Sequence, residues 1–205
     1  MKVKTRLTRW SLAAILCLLM AAPAWAETLV YDNGPINGTI NAWTINSGDS
    51  VSDSFTLSST ATLSEAQIGL WLLPGDTASN VDWSLGTTPF GSNEGSGTAA
   101  DLTGTFQYNN VDGFDIYEST FSLDGTALPA GTYYLTLQNL VVSFGDNGYW
   151  DENDGPSLAY DNAPPYGVSQ IGSESFQIYA PEPSTLALLG SGLLILVGFK
   201  RRFAN

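Results

Sequence analysis

The chain has 205 residues, with 20 Asp and Glu against 7 Lys and Arg, no His and one Cys, giving a formal net charge of -13. Its cations are Lys2, Lys4, Arg6 and Arg9 at one end and Lys200, Arg201 and Arg202 at the other, so the segment Glu27–Ala180 holds 19 carboxylates and no basic side chain. This excludes nucleic acid as a partner, because phosphates are met by Lys and Arg, and it removes Ser-His and Cys-His nucleophiles, Schiff-base lysines, His-rich zinc sites and arginine clamps from the central segment.

Residues 1–26 read as a secretory signal peptide: a basic start, the apolar run Leu12 to Met20, and Ala24-Trp25-Ala26 as a small-x-small cleavage site before Glu27. The apolar run is short for a bilayer span, which favours cleavage by signal peptidase after engagement of the export machinery. Cys17 lies inside that run and leaves with it, so the mature fold uses no disulfide.

From Thr28 to Tyr179 the chain is rich in Thr, Ser, Val, Ile and aromatics, with Gly, Asn, Asp and Pro interrupting about every ten residues, which predicts an all-β domain. Strands are expected at Thr28–Tyr31, Gly38–Ile45, Ser50–Leu57, Ala66–Leu72, Asn80–Gly86, Leu102–Tyr108, Phe114–Leu123, Thr132–Val141 and Ser173–Tyr179. Alternation puts Ile68, Leu70 and Leu72 on one face, and does the same for Val81, Trp83 and Leu85, for Tyr133, Leu135 and Leu137, and for Phe176 and Ile178. One apolar face per strand suits two packed antiparallel sheets, a jelly-roll-like β-sandwich spanning residues 27–179. Gly91 to Thr98 reads as a flexible loop, and Asn153 to Val168, with three prolines, as a long irregular connection.

Between them, Gly145-Asp146-Asn147-Gly148-Tyr149-Trp150-Asp151-Glu152-Asn153-Asp154-Gly155 concentrates carboxylates and amides between glycines. Calcium takes oxygen ligands of these kinds, which makes Asp146, Asp151, Asn153 and Asp154 candidate ligands, although the spacing is not that of an EF-hand. The alternative is a solvated turn whose side chains bond local backbone. Tyr149 and Trp150 are the matching candidates for stacking a sugar ring, against ordinary packing of aromatics in a β core. Catalysis by paired carboxylates, as in a glycosidase, is the one enzyme class this alphabet permits. With so many acids a suitably spaced pair arises by chance, and a non-catalytic domain is expected.

The C-terminal segment 180–205 is organised differently. Pro181-Glu182-Pro183-Ser184-Thr185 is followed by the apolar stretch Leu186 to Phe199 and then by Lys200, Arg201 and Arg202. The prolines hold the chain extended, Ser184 or Thr185 can cap a short apolar transmembrane helix, and the terminal cations stay on the cytoplasmic side, which directs the domain outward. This order of motif, apolar helix and basic stop resembles the PEP-CTERM sorting signal of exported proteins in Gram-negative bacteria. The resemblance implies processing near the Pro-Glu-Pro motif by a membrane-embedded exosortase, a location at the cell surface or outside the cell, and association with exopolysaccharide and biofilm. A carbohydrate-binding module stabilised by calcium is the second functional expectation for the upstream domain.

Overall fold

A computed structural model describes residues 27–182; the expected signal peptide, apolar helix and basic stop lie outside the described residues. Residues Glu27–Pro181 form one compact unit. Its strands are β1 (Glu27–Asp32), β2 (Ala42–Thr44), β3 (Ser50–Leu57), β4 (Ala61–Leu72), β5 (Ala78–Gly86), β6 (Gly95–Ala99) and β7 (Thr103–Asn109). There follow β8 (Asp115–Leu128), β9 (Gly131–Val142), β10 (Tyr149–Asn153), β11 (Ala159–Ala163), β12 (Gly167–Ile171), β13 (Ser173–Glu174) and β14 (Phe176–Pro181). A single 3-10 turn, Ser143–Gly145, lies between β9 and β10. Among the described residues no helix is long and apolar enough to cross a membrane.

The strands form two antiparallel sheets. In one, the order is β12-β11-β3-β9-β5-β6. In the other, β4 is the long central strand: β8 and then β7 lie on one side of it, and its other side is shared by two partners in succession. Glu65 to Ile68 pair with β14, which carries β1 on its far edge, whereas Leu70 and Trp71 pair with β10, which carries β2. The far half of β10 turns away from β4 and pairs with β13. The sheet therefore forks at Gly69, where the Gly69 amide donates to Ser175 O (3.3 Å) and the Ser175 amide to Asp151 O (2.7 Å).

Period-two burial explains why these segments are strands. Ile68, Leu70 and Leu72 of β4 meet Val81, Trp83 and Leu85 of β5, with Leu135 and Leu137 of β9 and Phe176 and Ile178 of β14, in one hydrophobic core shared by both sheets. The apolar faces expected from the alternation are the faces that are buried.

Four segments differ from expectation. Gly38–Ile45 is strand only over Ala42–Thr44, because Gly38 has a positive φ of 64° and the chain there wraps across the sheet as a loop. Gly95–Ala99, expected as flexible, is a strand whose glycines are fitted to a ring: a Cβ on Gly97 would come 3.2 Å from Trp83. The irregular connection contains the β11–β12 hairpin, closed by the Tyr166 amide donating to Ala163 O (2.8 Å). The acidic segment, read as a turn holding either calcium or its own backbone, contains β10, paired on both sides.

Candidate functional site

Strand β10 distributes the residues singled out in the acidic segment to opposite faces. Trp150 points into the core with 0% exposure, its indole N–H donating to Ser175 O (2.9 Å) and its ring edge-on to Phe176 at 5.6 Å. Of the two readings, sugar stacking or core packing, it takes the second and is unavailable to a sugar, because the two sheets close over it. Tyr149 is half-buried and lies edge-on to Phe114 at 5.6 Å.

Asp151 is fully buried, and its carboxylate accepts from the amides of Asn37 (2.7 Å) and Gly38 (2.7 Å) and from Trp71 Nε1 (2.6 Å). Burial raises its pKa, an effect these donors oppose. Asp151 thus clasps the Asn37–Gly38 loop to the sheet rather than facing a cation. Asn153 closes a local Asx turn by accepting from the Gly155 amide (2.9 Å), also accepts from Ser173 Oγ (3.0 Å), and donates to Asn33 O (2.8 Å). Asp154 is exposed, and Asp146 precedes β10 at its other end, where its backbone carbonyl accepts from Asn46 Nδ2 (2.9 Å). The four expected calcium ligands therefore do not converge. Among the described residues no three acidic side chains stand together as a metal site.

A different set of acids is brought together at the fork. Asp53 of β3 lies on the apolar face between Val51 and Phe55 with 0% exposure. Its Oδ1 accepts from the Ser54 amide (2.6 Å), and its Oδ2 accepts from the Glu174 amide (2.7 Å) and Ser157 Oγ (2.8 Å). Asn33 completes the cluster: its Nδ2 faces Ser157 Oγ (2.7 Å), Ser173 Oγ (2.7 Å) and Glu174 O (2.6 Å), and Tyr31 Oη donates to its Oδ1 (2.7 Å). These contacts tie the two sheets together through polar groups. Removal from water pushes the Asp53 pKa up to about 7, against the pull of its donors.

Glu174, also at 0% exposure, has two carboxylate oxygens without a hydrogen-bond partner. It stands directly opposite Glu152 across the β10–β13 pair, an arrangement of like charges that disfavours ionising both. Burial first, and then Asp53, Glu152, Asp151 and Asp161, raise its pKa well above the ordinary value. Glu152 itself accepts from Trp43 Nε1 (2.7 Å). The sequence carried a sign of this cluster that composition hides. Asp53 is in phase with Val51, Phe55 and Leu57, and Glu174 with Phe176 and Ile178, so both acids fall on apolar faces.

At the end of the domain, Ala180 is buried and Pro181 is the last residue of β14, paired with Glu27 at the start of β1. Of the expected sorting motif, Glu182 follows at once, and Pro183, Ser184 and Thr185 lie outside the described residues. No curated protein matches the chain. Residues 180–202 match the family model of the PEP-CTERM protein-sorting motif, a signal that supports export and targeting to exosortase at the cell envelope or surface.

Proposed function

We propose that this chain is a non-catalytic component of the cell surface or extracellular matrix, a jelly-roll-like β-sandwich freed of residues 1–26 by signal peptidase, trimmed beside Pro181 by exosortase, and associated with exopolysaccharide. The observation that carries the reading is the sorting motif set directly against the final strand: the matched segment begins at residue 180, and the folded unit runs from Glu27 to Pro181. A trimming event on each side of that unit removes both terminal segments without taking a strand from either sheet.

The non-catalytic part of the proposal is supported by what the interior carboxylates do. Acid–base chemistry here falls to Asp and Glu, and the most perturbed of them are enclosed. Asp53 is wrapped by donors and Glu174 is sealed from solvent, so neither can reach a substrate. The test is the intact mass of the product recovered from the envelope or medium of an exosortase-containing cell. Termini near Glu27 and Pro181 are expected, and a product that retains Lys200 to Arg202 overturns the sorting step.

A further inference from the structure

We infer that the outer face of the β4 sheet carries a binding site for a neutral polysaccharide, in the cleft above Gly69. The site follows from the pleat. With Ile68 and Leu70 turned into the core, Gln67 and Gly69 face outward, and register places Gln177 of β14 beside Gln67 and Glu118 of β8 beside Gly69. Because Gly69 has no side chain, Ser175 and Ile36 pack directly over it, low enough to leave a hollow between the flanking side chains. The result is a cleft of about 290 Å³, near the lower end of the roughly 300–1,000 Å³ typical of small-ligand sites.

The walls are built and held. A bulge in β7 between Phe106 and Tyr108 lets two consecutive residues, Gln107 and Tyr108, both line the cleft instead of alternating. Tyr108 Oη donates to Asn37 O (2.9 Å), which fixes the ring against the loop that Asp151 clasps from below. Tyr179 Oη donates to Gln177 Oε1 (2.6 Å) and lies 3.3 Å from Gln67 Oε1, so the amide N–H groups of Gln67 remain for a ligand. Pro35 and Ile36 form an apolar lip. At the floor, Ser175 is 1% exposed and its hydroxyl packs over Gly69 beside Asp151 and Ile36, which holds the base of the cleft rigid.

Chemistry selects the ligand class. Planar amides and a carboxylate arranged around a tyrosine ring and an apolar lip match a sugar, whose hydroxyls both donate and accept while its C–H face lies on apolar surface. A uronate or sulfated chain is disfavoured, since no Lys or Arg occurs from residue 10 to 199 and the cleft itself contains Glu118. The inference does not depend on how the chain is sorted, because binding is read on the purified full-length chain.

The experiment is titration of that chain, in detergent, with soluble neutral glucans, mannans and galactans, a polyuronate, and oligolysine. Saturable binding of at least one neutral glycan is expected, weakened about tenfold in Glu118→Ala and in Gln67→Ala and unchanged in Gln170→Ala on the other sheet. Unchanged melting temperatures in the two cleft variants separate loss of ligand contacts from loss of fold. Binding of oligolysine or polyuronate alone, no binding to any neutral glycan, or cleft variants that bind as well as the parent chain would each overturn the assignment.

Discussion

Asp53 is an acid that the fold keeps among Val51, Phe55 and Phe176 by giving its carboxylate donors but no cation, and its titration therefore writes itself into stability. An ordinary value of 3.8 is pushed to about 7 in the fold. Between those values the folded chain holds a proton that the unfolded chain has released, so stability falls as pH rises through that window and levels off above it. The full effect is on the order of 4 kcal/mol for this residue alone. Asp151, Asp161 and Glu174 are raised as well and act in the same direction. Calorimetry should give a higher melting temperature at pH 4.5 than at pH 8; the reverse order would refute this account of the buried acids. Glu174→Gln replaces a buried carboxyl that resists ionisation with a group that has no proton to take up on folding, and should raise the melting temperature at pH 8 by several degrees while leaving that at pH 4.5 nearly unchanged. A loss of stability at pH 8 would show that the ionised Glu174 is compensated by a bound cation.

At the level of elements, the fork in the β4 sheet depends on one bare position. A Cβ at Gly69 would collide with Ser175 Oγ, come 2.8 Å from Asp151 Cβ and 3.0 Å from Ile36 Cγ1, so the strands that meet there could not all keep their places. Gly69→Ala should cost about 2 kcal/mol, read as a lower midpoint in urea unfolding at an unchanged slope. Gly69 also shows where sequence reading stops. Ile68, Leu70 and Leu72 announced β4 and its inner face through alternation, as did Leu135 and Leu137 for β9. Nothing local announced that one side of β4 is divided between β14 and β10, because that depends on residues more than 70 positions away. The composition of β10, Tyr-Trp-Asp-Glu-Asn, reads as a turn, and neighbours on both sides make it a strand. The glycines of β6 read as flexibility and are instead the complement of the Trp83 ring. Buried acids were legible only as a breach of pattern, an Asp or Glu in phase with apolar residues.

For the folded unit as a whole, charge sets the balance. Glu27–Ala180 carries 19 carboxylates and no basic side chain. Ionised together, they repel across every surface and within the fork, and that repulsion is weaker in the expanded unfolded chain, so it opposes folding. Mobile ions shorten its reach from about 30 Å at 0.01 M to about 3 Å at 1 M. The melting temperature at pH 8 should therefore climb steadily as sodium chloride is raised over that range. At pH 3.5, where many carboxylates are neutral and no cations replace them in the folded unit, the same series should be nearly flat. Most acidified proteins unfold through repulsion among their Lys, Arg and His, and this segment has none, so acid should leave it folded. A salt response of equal size at both pH values would mean that ions act through the apolar surface rather than through charge, and would remove electrostatic repulsion as the main force opposing this fold.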